Sequence, residues 1–404
     1  MSKTRAEVKR IEQETLATFQ EEIPSIYYSD KSEVDYQAYK ANAEQMYRYH
    51  FKFPPKMFQG SNLIDFGAGT GENTVYLANW GATCTLVEMN ESAQLISKDV
   101  FRRYTNNIDA HRFVHSSIFD YTPAPDEQYD IVLCRGVLSH TGAKEEAFQK
   151  ISSLVKPDGY LIFGDPNKAG GFQNMLQRYA VYQFAETPDE MVDVCEVLFK
   201  EDIDRSQNFV PRTRRSIIFD RWVIQRQDDP SLAEIVDWIE QAGLQLYSCY
   251  PGALLPVFGD SVHHRPRHDP FKHKELLTIP ELIWMLHTDE DAEVISSIAD
   301  TAKPFANALE TLSSYMAAFS KQSSLDSVKF AQYTQAVNAT FGQLDPLQHF
   351  KSKLTGFLQE ANEFIQLVQV KDLDTLRSFV CSANFLFQGA CGVRHIDIIV
   401  HRPC

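Results

Sequence analysis

Several features that define other protein classes are scarce in this chain of 404 residues. No uninterrupted apolar run approaches the roughly 20 residues that a membrane-spanning helix needs. The first residues carry charges without an apolar stretch, so we expect no secretory signal there. Internal repeats and low-complexity tracts are lacking, and hydrophobic residues make up 44% of the chain. This composition excludes a mainly disordered chain, a collagen-like chain and a coiled-coil rod.

Cysteine and positive charge are also limited. The seven cysteines are dispersed without a CxxC pair, which predicts reduced thiols in the cytoplasm and neither a disulfide framework nor a zinc site. A formal net charge of -15 disfavours binding to a phosphate backbone. We therefore predict a cytoplasmic protein that acts on a small-molecule substrate, with no nucleic-acid or membrane partner. A homodimer remains open.

The pattern from residue 61 onward is an alternation of short apolar strands with amphipathic helices. Such alternation predicts a doubly wound α/β fold with a mostly parallel sheet covered on both faces. The predicted strands are 62–66, 83–88, 111–115, 129–134, 160–163, 244–250 and 395–400. The predicted helices between them are 73–80, 91–104, 144–155 and 231–242.

Two long segments interrupt this alternation and suggest a division into domains. Residues 1–60 read as a helical lid, and 61–250 plus 390–404 as the α/β core. Residues 164–230 are a substrate-side insertion within that core, and 251–389 a helical cap before the last strand. Helical periodicity in the cap is clearest at 280–287, 291–319, 325–341 and 347–369.

The sharpest motif is Asp65-Phe66-Gly67-Ala68-Gly69-Thr70-Gly71, which directly follows the first strand and opens a helix. Glycines allow a tight turn and close approach to a ligand, and the helix N-terminus offers free N–H groups. The third glycine comes one residue too early for the dinucleotide fingerprint, and no Lys-Ser/Thr follows as in a P-loop. Glu88, at the end of the second strand, is placed to accept hydrogen bonds from ribose hydroxyls.

With these motifs the chain resembles the class I S-adenosylmethionine-dependent methyltransferases of the small-molecule type. Further matches are Asp130–Cys134 followed by Gly136–His140, and Leu154–Leu161. Gly392–Asp397 resembles the start of the family's last, antiparallel strand. The resemblance implies a seven-stranded Rossmann-like methyltransferase fold with S-adenosyl-L-methionine as cofactor.

The resemblance also implies a set of cofactor-binding residues. Asp65, Gly67 and Gly69 would hold the methionine moiety, Glu88 the ribose, and Met89 would pack beside the adenine. The family often has an acid just after the third strand, and in this sequence Ser117 stands at that position. The complete set is Asp65, Gly67, Ala68, Gly69, Glu88, Met89, Ser117, Ile118, Arg135 and Gly136.

The acceptor side is less defined. Methyl transfer requires alignment of the acceptor atom with the S–CH3 bond, and a base only if that atom carries a proton. His140, just after the fourth strand, is the best candidate base, although a locally hydrogen-bonded histidine would fit the same position. Tyr36 and Tyr39 belong to a tyrosine-rich stretch that either packs on the core or lines a pocket.

Two basic stretches follow the carboxyl ends of strands five and six. Arg212, Arg214, Arg215 and Arg221 predict an anionic substrate group, although such runs are often solvated faces. His263, His264 and His268 lack the spacing of a known metal site, so we predict no metal. The predicted activity is O- or N-methylation of an anionic metabolite or natural-product intermediate. The alternatives are an RNA or protein methyltransferase that docks its substrate on the helical insertion, and a cofactor-binding scaffold without activity.

Overall fold

The computed structural model describes residues 4–24, 26–28, 31–209, 212–224, 227–253, 270–288, 290–317, 326–341, 346–388 and 394–404. Within these ranges a seven-stranded sheet carries helices on its faces. Its strands are β1 (Asn62–Phe66), β2 (Thr83–Glu88), β3 (Arg112–His115), β4 (Tyr129–Arg135), β5 (Val155–Pro166), β6 (Gln245–Tyr250) and β7 (His395–His401). The predicted doubly wound α/β fold is confirmed.

The strand order is β3-β2-β1-β4-β5-β7-β6. The first five strands are parallel, whereas β7 is antiparallel to both β5 and β6. The order reverses between β1 and β4, and ligands bind at the carboxyl ends of the strands beside such a switch point. The prediction that residues 395–400 return to the sheet is confirmed, because Ile398 pairs with Phe163 on β5 and with Cys249 on β6.

The helices fall into three groups along the chain. Two precede the sheet: α1 (Arg5–Glu21) and α2 (Glu33–Gln45). Four connect its strands: α3 (Val75–Asn79), α4 (Glu91–Tyr104), α5 (Lys144–Ser152) and α10 (Leu232–Gln241). The others lie in the two long insertions: α6 (Phe172–Phe184), α7 (Pro188–Leu198), α8 (Lys200–Phe209), α9 (Arg214–Ile218), α11 (Thr278–Leu286), α12 (Glu290–Ala317), α13 (Ser327–Phe341), α14 (Pro346–Val370) and α15 (Leu373–Ser382).

Strand β5 is longer than predicted, and α5 is correspondingly shorter. The turn sequence at residues 156–159 suggested a loop before the strand. Instead Val155 already pairs with Tyr129 of β4, and a register shift between Tyr129 and Ile131 absorbs the turn residues. Asp158 within this segment has φ of 61°, which marks the irregular backbone. A β-bulge of this kind cannot be recognised from turn propensity alone.

The two insertions share one hydrophobic core that is separate from the core of the sheet. Trp222, from the first insertion, is completely buried in the same cluster as Phe357 and Phe364 of α14. Glu281 of α11 also accepts a hydrogen bond from Asn167, which directly follows β5. The helical body is therefore anchored at the carboxyl end of the sheet. Among the described residues no helix is both long and apolar enough to cross a lipid bilayer.

Candidate active site

The glycine motif forms a tight loop between β1 and α3. Gly67, Gly69 and Gly71 have φ of 70°, 55° and 71°, in the left-handed region that glycine enters without steric cost. The backbone N–H groups of Gly67 and Ala68 both donate to the carbonyl of Val87 on β2, at 2.9 and 3.2 Å. The loop is therefore fixed against the neighbouring strand.

Glu88 holds the glycine loop through backbone hydrogen bonds. Its Oε2 accepts from the Gly69 N–H at 2.8 Å, and its Oε1 accepts from the Asn90 N–H at 2.7 Å. Burial raises the pKa of Glu88, while these backbone donors oppose the rise. The carboxylate that the family resemblance assigns to the ribose is thus also part of the loop's own structure.

Asp65 lies at the floor of the site and is almost completely buried. The hydroxyl of Thr74 donates to its Oδ2. Burial, assisted by the nearby charge of Glu88, raises the pKa of Asp65 to about 7, and the Thr74 hydrogen bond opposes this rise. A carboxyl group in this state gains from an added cation, because an opposite charge stabilises its ionised form.

A cavity of about 600 Å³ opens over the glycine loop. This volume is in the range of small-ligand sites. All ten residues predicted to bind the cofactor line it, as do His140, Tyr39 and Arg212 of the predicted substrate side. The cavity therefore brings together residues from both halves of the predicted site.

The sequence left open whether the tyrosines near the N-terminus pack on the core or line a pocket, and the structure shows one of each. Tyr36 does not line the cavity, because it is buried against Tyr104, with ring centroids 4.0 Å apart. Tyr39 does line it, and its hydroxyl donates to Asn73 at 2.6 Å. Helix α1 adds Phe19 to the cavity wall, where its ring meets the His140 ring edge to face at 5.6 Å.

Of the four predicted substrate arginines, three do not line the cavity. Arg214 pairs with Glu196 and Asp204, and Arg215 with Asp189 and Glu21. Arg221 is buried and bidentate to Asp202, at 2.9 and 2.7 Å. These guanidinium groups join helices of the insertion to one another and to α1. The sequence could not reveal these ion pairs, because the acid that each arginine contacts lies in another segment of the chain.

Arg212 lines the cavity, but its guanidinium group already has hydrogen-bond partners within the protein. Both terminal nitrogens donate to Asp220 at 3.1 Å, and Nη1 also reaches the carbonyl of Pro24 at 2.9 Å. Burial acts to raise the pKa of the half-buried Asp220, but the charge of Arg212 outweighs this effect and holds that pKa below its usual value. This pair closes the wall between the first insertion and the lid.

Arg135, predicted to face the methyl donor, lines the cavity as part of an ion pair. Its Nε and Nη2 donate to the two carboxylate oxygens of Asp397 on β7, at 2.7 and 3.0 Å. The guanidinium holds the pKa of Asp397 well below its usual range, although burial acts in the opposite direction. The pair joins β4 to β7 across β5 at the carboxyl edge of the sheet.

His140 lines the cavity directly after β4, and its backbone carbonyl accepts from the Thr15 hydroxyl of α1 at 3.3 Å. Burial raises the pKa of Asp165 to about 6 and also raises that of Asp229, whereas the pKa of Asp220 is lowered. A positive His140 imidazole acts to lower the pKa of all three. Asp165 is held by the backbone N–H and hydroxyl of Ser139, at 3.1 and 2.9 Å. Three carboxyl groups thus face any charge that His140 acquires.

Several cavity residues were not found by sequence reasoning. They come from segments far apart in the chain: Glu12, Thr15, Leu16, Phe19, Tyr27, Asn73, Asp220, Gln227, Arg394 and His395. The helical pattern of residues 1–60 predicted a lid but not which of its side chains line the cavity. Within the described part of the chain, no group of three His, Cys, Asp or Glu residues could hold a metal ion. His263, His264 and His268 lie outside the described residues.

The site contains the groups that the motifs predicted for S-adenosylmethionine. The buried carboxyl group of Asp65, the left-handed Gly67 and Gly69, and Glu88 all border the same cavity. Residues 38–193 match the family model of a methyltransferase domain. Residues 38–193 therefore form a methyltransferase domain, and the resemblance to the class I S-adenosylmethionine-dependent methyltransferases that the motifs carry is confirmed.

The matches to individual relatives extend over only part of each relative's length. The chain is 32% identical over 119 residues to dimethylglycine N-methyltransferase of Parasynechococcus marenigrum (strain WH8102), spanning 28% of this chain and 41% of that protein. It is 28% identical over 135 residues to ubiquinone biosynthesis O-methyltransferase of Salmonella paratyphi A, spanning 33% and 54%. The chain thus spans about half the length of these curated relatives.

Among solved structures, the chain is similar to magnesium protoporphyrin IX methyltransferase from Synechocystis PCC 6803, crystallised with bound S-adenosylmethionine. The sequence identity is 12% and the TM-score 0.33, with 53% of this chain and 72% of that chain covered.

Proposed function

We propose that this protein transfers the methyl group of S-adenosylmethionine to an oxygen or nitrogen atom of a small-molecule acceptor in the cytoplasm. The observation that carries the proposal is the continuity of a single cavity. It extends from Gly67 and Glu88 on the cofactor side to Tyr27, His140 and Arg394 on the other. A bound cofactor and an acceptor would share this enclosure, which is the arrangement that in-line transfer requires.

The cofactor, when bound, supplies an electrophilic methyl group, and the protein's part is to orient and protect. Phe19, Tyr27 and Tyr39 provide aromatic walls beside the cavity. Walls of this kind exclude water and strengthen electrostatic interactions inside the site. His140 can take a proton from an acceptor hydroxyl, and Asp165 and Asp220 face the resulting charge.

The lid favours a small acceptor over a macromolecule. Helix α1 lines the cavity and is tied to the turn that follows β4 by the Thr15–His140 hydrogen bond at 3.3 Å. Arg215 on the insertion further links α1 through Glu21, at 2.8 Å. A cavity partly covered in this way admits a metabolite more readily than a folded protein or RNA. The net charge of -15 also disfavours RNA, and we propose no membrane partner.

We propose three functional parts for the chain. Residues 1–60 act as the lid, and 61–250 with 390–404 form the methyltransferase core. The cap, assigned from the sequence to 251–389, gains support from its shared hydrophobic cluster with α6, α7 and α9. The substrate-side insertion and the cap would therefore form one packed unit.

A screen with isotopically labelled methyl donor tests the proposed activity. The protein is incubated with S-adenosylmethionine carrying a deuterated methyl group and with a metabolite extract, and products are detected by their mass shift. We expect at least one labelled product of metabolite size. Label found only in RNA or protein would contradict the small-molecule proposal. Binding of the cofactor without any labelled product would favour a scaffold.

The pKa of Asp65 predicts how cofactor affinity depends on pH. The free protein keeps the Asp65 proton up to about pH 7, whereas the cofactor's ammonium group pairs best with the ionised carboxylate. We expect the affinity for S-adenosylmethionine to fall by about tenfold for each pH unit below about 7. Titration calorimetry from pH 5.5 to 7.5 measures this dependence.

Two controls accompany this measurement. 5′-Methylthioadenosine lacks the amino acid portion and should bind with little pH dependence. Asp65→Asn should remove the dependence for the complete cofactor. A flat affinity profile in the wild type would contradict the assignment of Asp65.

The raised pKa of Asp65 also makes the stability of the free protein depend on pH. Between about pH 4 and 7 the folded protein holds a proton on this acid that the unfolded chain has lost. The contribution of Asp65 to the free energy of unfolding therefore decreases as pH rises through this range, and Asp65→Asn should reduce the slope of that free energy against pH.

His140 is expected to act as the base for a hydroxyl acceptor. His140→Gln should lower kcat for such an acceptor by about 100-fold or more, with little change in cofactor affinity. For an amine that is already deprotonated, the loss should be much smaller. Rates with the acceptor found in the screen, measured from pH 6 to 9, distinguish these cases. Unchanged kcat with a hydroxyl acceptor would show that another group takes the proton.

A further inference from the structure

Arg394 has a position that none of the other arginines near the cavity shares. It directly precedes β7, and its backbone carbonyl accepts from the Asn167 N–H at 2.5 Å, next to the end of β5. It is partly buried and lines the cavity. Burial lowers the pKa of Arg394 to about 10, with Arg221 acting in the same direction and Asp220 opposing. The guanidinium is therefore held at the carboxyl edge of the sheet, where acceptor and cofactor would meet.

The guanidinium of Arg394 makes no hydrogen bond or ion pair with any residue that the structure describes. The neighbouring arginines differ in this respect, because Arg135 is bidentate to Asp397, Arg221 to Asp202, and Arg212 donates to Asp220. Arginine has five N–H donors in a fixed planar fork and cannot give up its charge easily. A partly desolvated fork without an acceptor is costly unless a ligand supplies one.

We propose that Arg394 binds a carboxylate group of the methyl acceptor and so selects monoanionic acids as substrates. This inference rests on the proposed function and identifies its substrate class. The fork geometry of a guanidinium matches a carboxylate with two parallel hydrogen bonds.

The surrounding charges favour a carboxylate over a phosphate. Asp220 and Asp229 both lie near enough to Arg394 to influence its pKa. A group with nearly two negative charges would be repelled by these acids, whereas a single charge is matched by one fork. Tyr27 and Phe19 line the same cavity and give an aromatic or apolar acceptor body a surface to pack on. The preferred acceptor is therefore a small acid that carries its methylated hydroxyl or amine apart from the carboxylate.

The test uses the full-length protein saturated with S-adenosylhomocysteine and simple probes. Benzoate is compared with its neutral isostere benzamide and with phenyl phosphate, using calorimetry at low ionic strength. We expect benzoate to bind at least about tenfold more tightly than benzamide, and more tightly than phenyl phosphate. Arg394→Gln should bring benzoate to the level of benzamide, while Arg394→Lys should retain part of the preference.

The matched control is Arg377→Gln, on the exposed face of α15, which should leave the preference for benzoate unchanged. Affinity for S-adenosylhomocysteine reports whether each variant is folded and whether the cofactor site is intact. Equal binding of benzoate and benzamide, or a benzoate preference that survives in Arg394→Gln, would overturn the proposal. Preferential binding of phenyl phosphate would replace the carboxylate assignment. Failure of the wild type to bind S-adenosylhomocysteine would instead contradict the proposed function itself.

Discussion

Gly67→Ala is expected to weaken binding of S-adenosylmethionine by about 100-fold and to destabilise the folded protein. A Cβ atom at this position would lie 2.4 Å from Cγ2 of Val137, and the backbone has φ of 70°. The sequence suggested that a side chain here would meet the ligand. The structure shows that it first meets the protein, because Val137 packs against the core of the sheet. The loop or Val137 must move to accommodate a methyl group.

The left-handed backbone and the contact with Val137 contribute separately to this effect. A non-glycine residue in the left-handed region costs about 1–2 kcal/mol, and overpacking typically adds about 1–3 kcal/mol. If cofactor binding must first restore the native loop conformation, a cost of this size lowers cofactor affinity by about 100-fold. Denaturant unfolding measures the loss of stability, and titration calorimetry measures the loss of cofactor affinity.

Gly243→Ala is the matched control for this substitution. Gly243 has φ of 65°, and its added Cβ would meet no atom within 4 Å. It should show the cost of the left-handed backbone alone, about 1–2 kcal/mol, without loss of cofactor binding. If Gly67→Ala bound the cofactor as well as Gly243→Ala does, the glycine loop would not be the binding element.

Glu88→Ala is expected to weaken cofactor binding by at least about tenfold, because charge-assisted hydrogen bonds to ribose hydroxyls would be lost. The structure adds a second effect that the sequence did not predict. The carboxylate also accepts from the N–H groups of Gly69 and Asn90, at 2.8 and 2.7 Å. Leaving these donors unpaired should lower the free energy of unfolding of the free protein by about 1–3 kcal/mol.

The contribution of the ribose can be separated from that of the loop by comparing ligands. The wild type should bind adenosine more tightly than 2′-deoxyadenosine, and Glu88→Ala should bind the two equally. Glu91→Ala, an exposed acid on the first turn of α4, serves as the control and should change stability by no more than about 1 kcal/mol. A preference for adenosine that is retained in Glu88→Ala would place the ribose elsewhere.

The glycine motif and Glu88, which we propose bind the cofactor, could be recognised in the sequence because they lie close together along the chain. A buried strand, glycines with left-handed backbone and an acid at the end of the next strand occur at fixed spacing along the chain. Parallel pairing then places Asp65 beside Leu86 of the neighbouring strand, two residues before Glu88. Local periodicity also identified the helices of the cap and the return of the chain at 395–400.

Tertiary structure alone decided the acceptor half, since its contacts join distant segments. Tyr36 and Tyr39 are three residues apart on α2, yet one packs against Tyr104 and the other lines the cavity. In the sequence Arg214, Arg215 and Arg221 cannot be distinguished from Arg212. In the structure they form ion pairs with acids on other helices. Arg394 reaches the cavity only because β7 returns to the sheet. Ion pairing and burial depend on which surfaces meet, and no local pattern of residues specifies that.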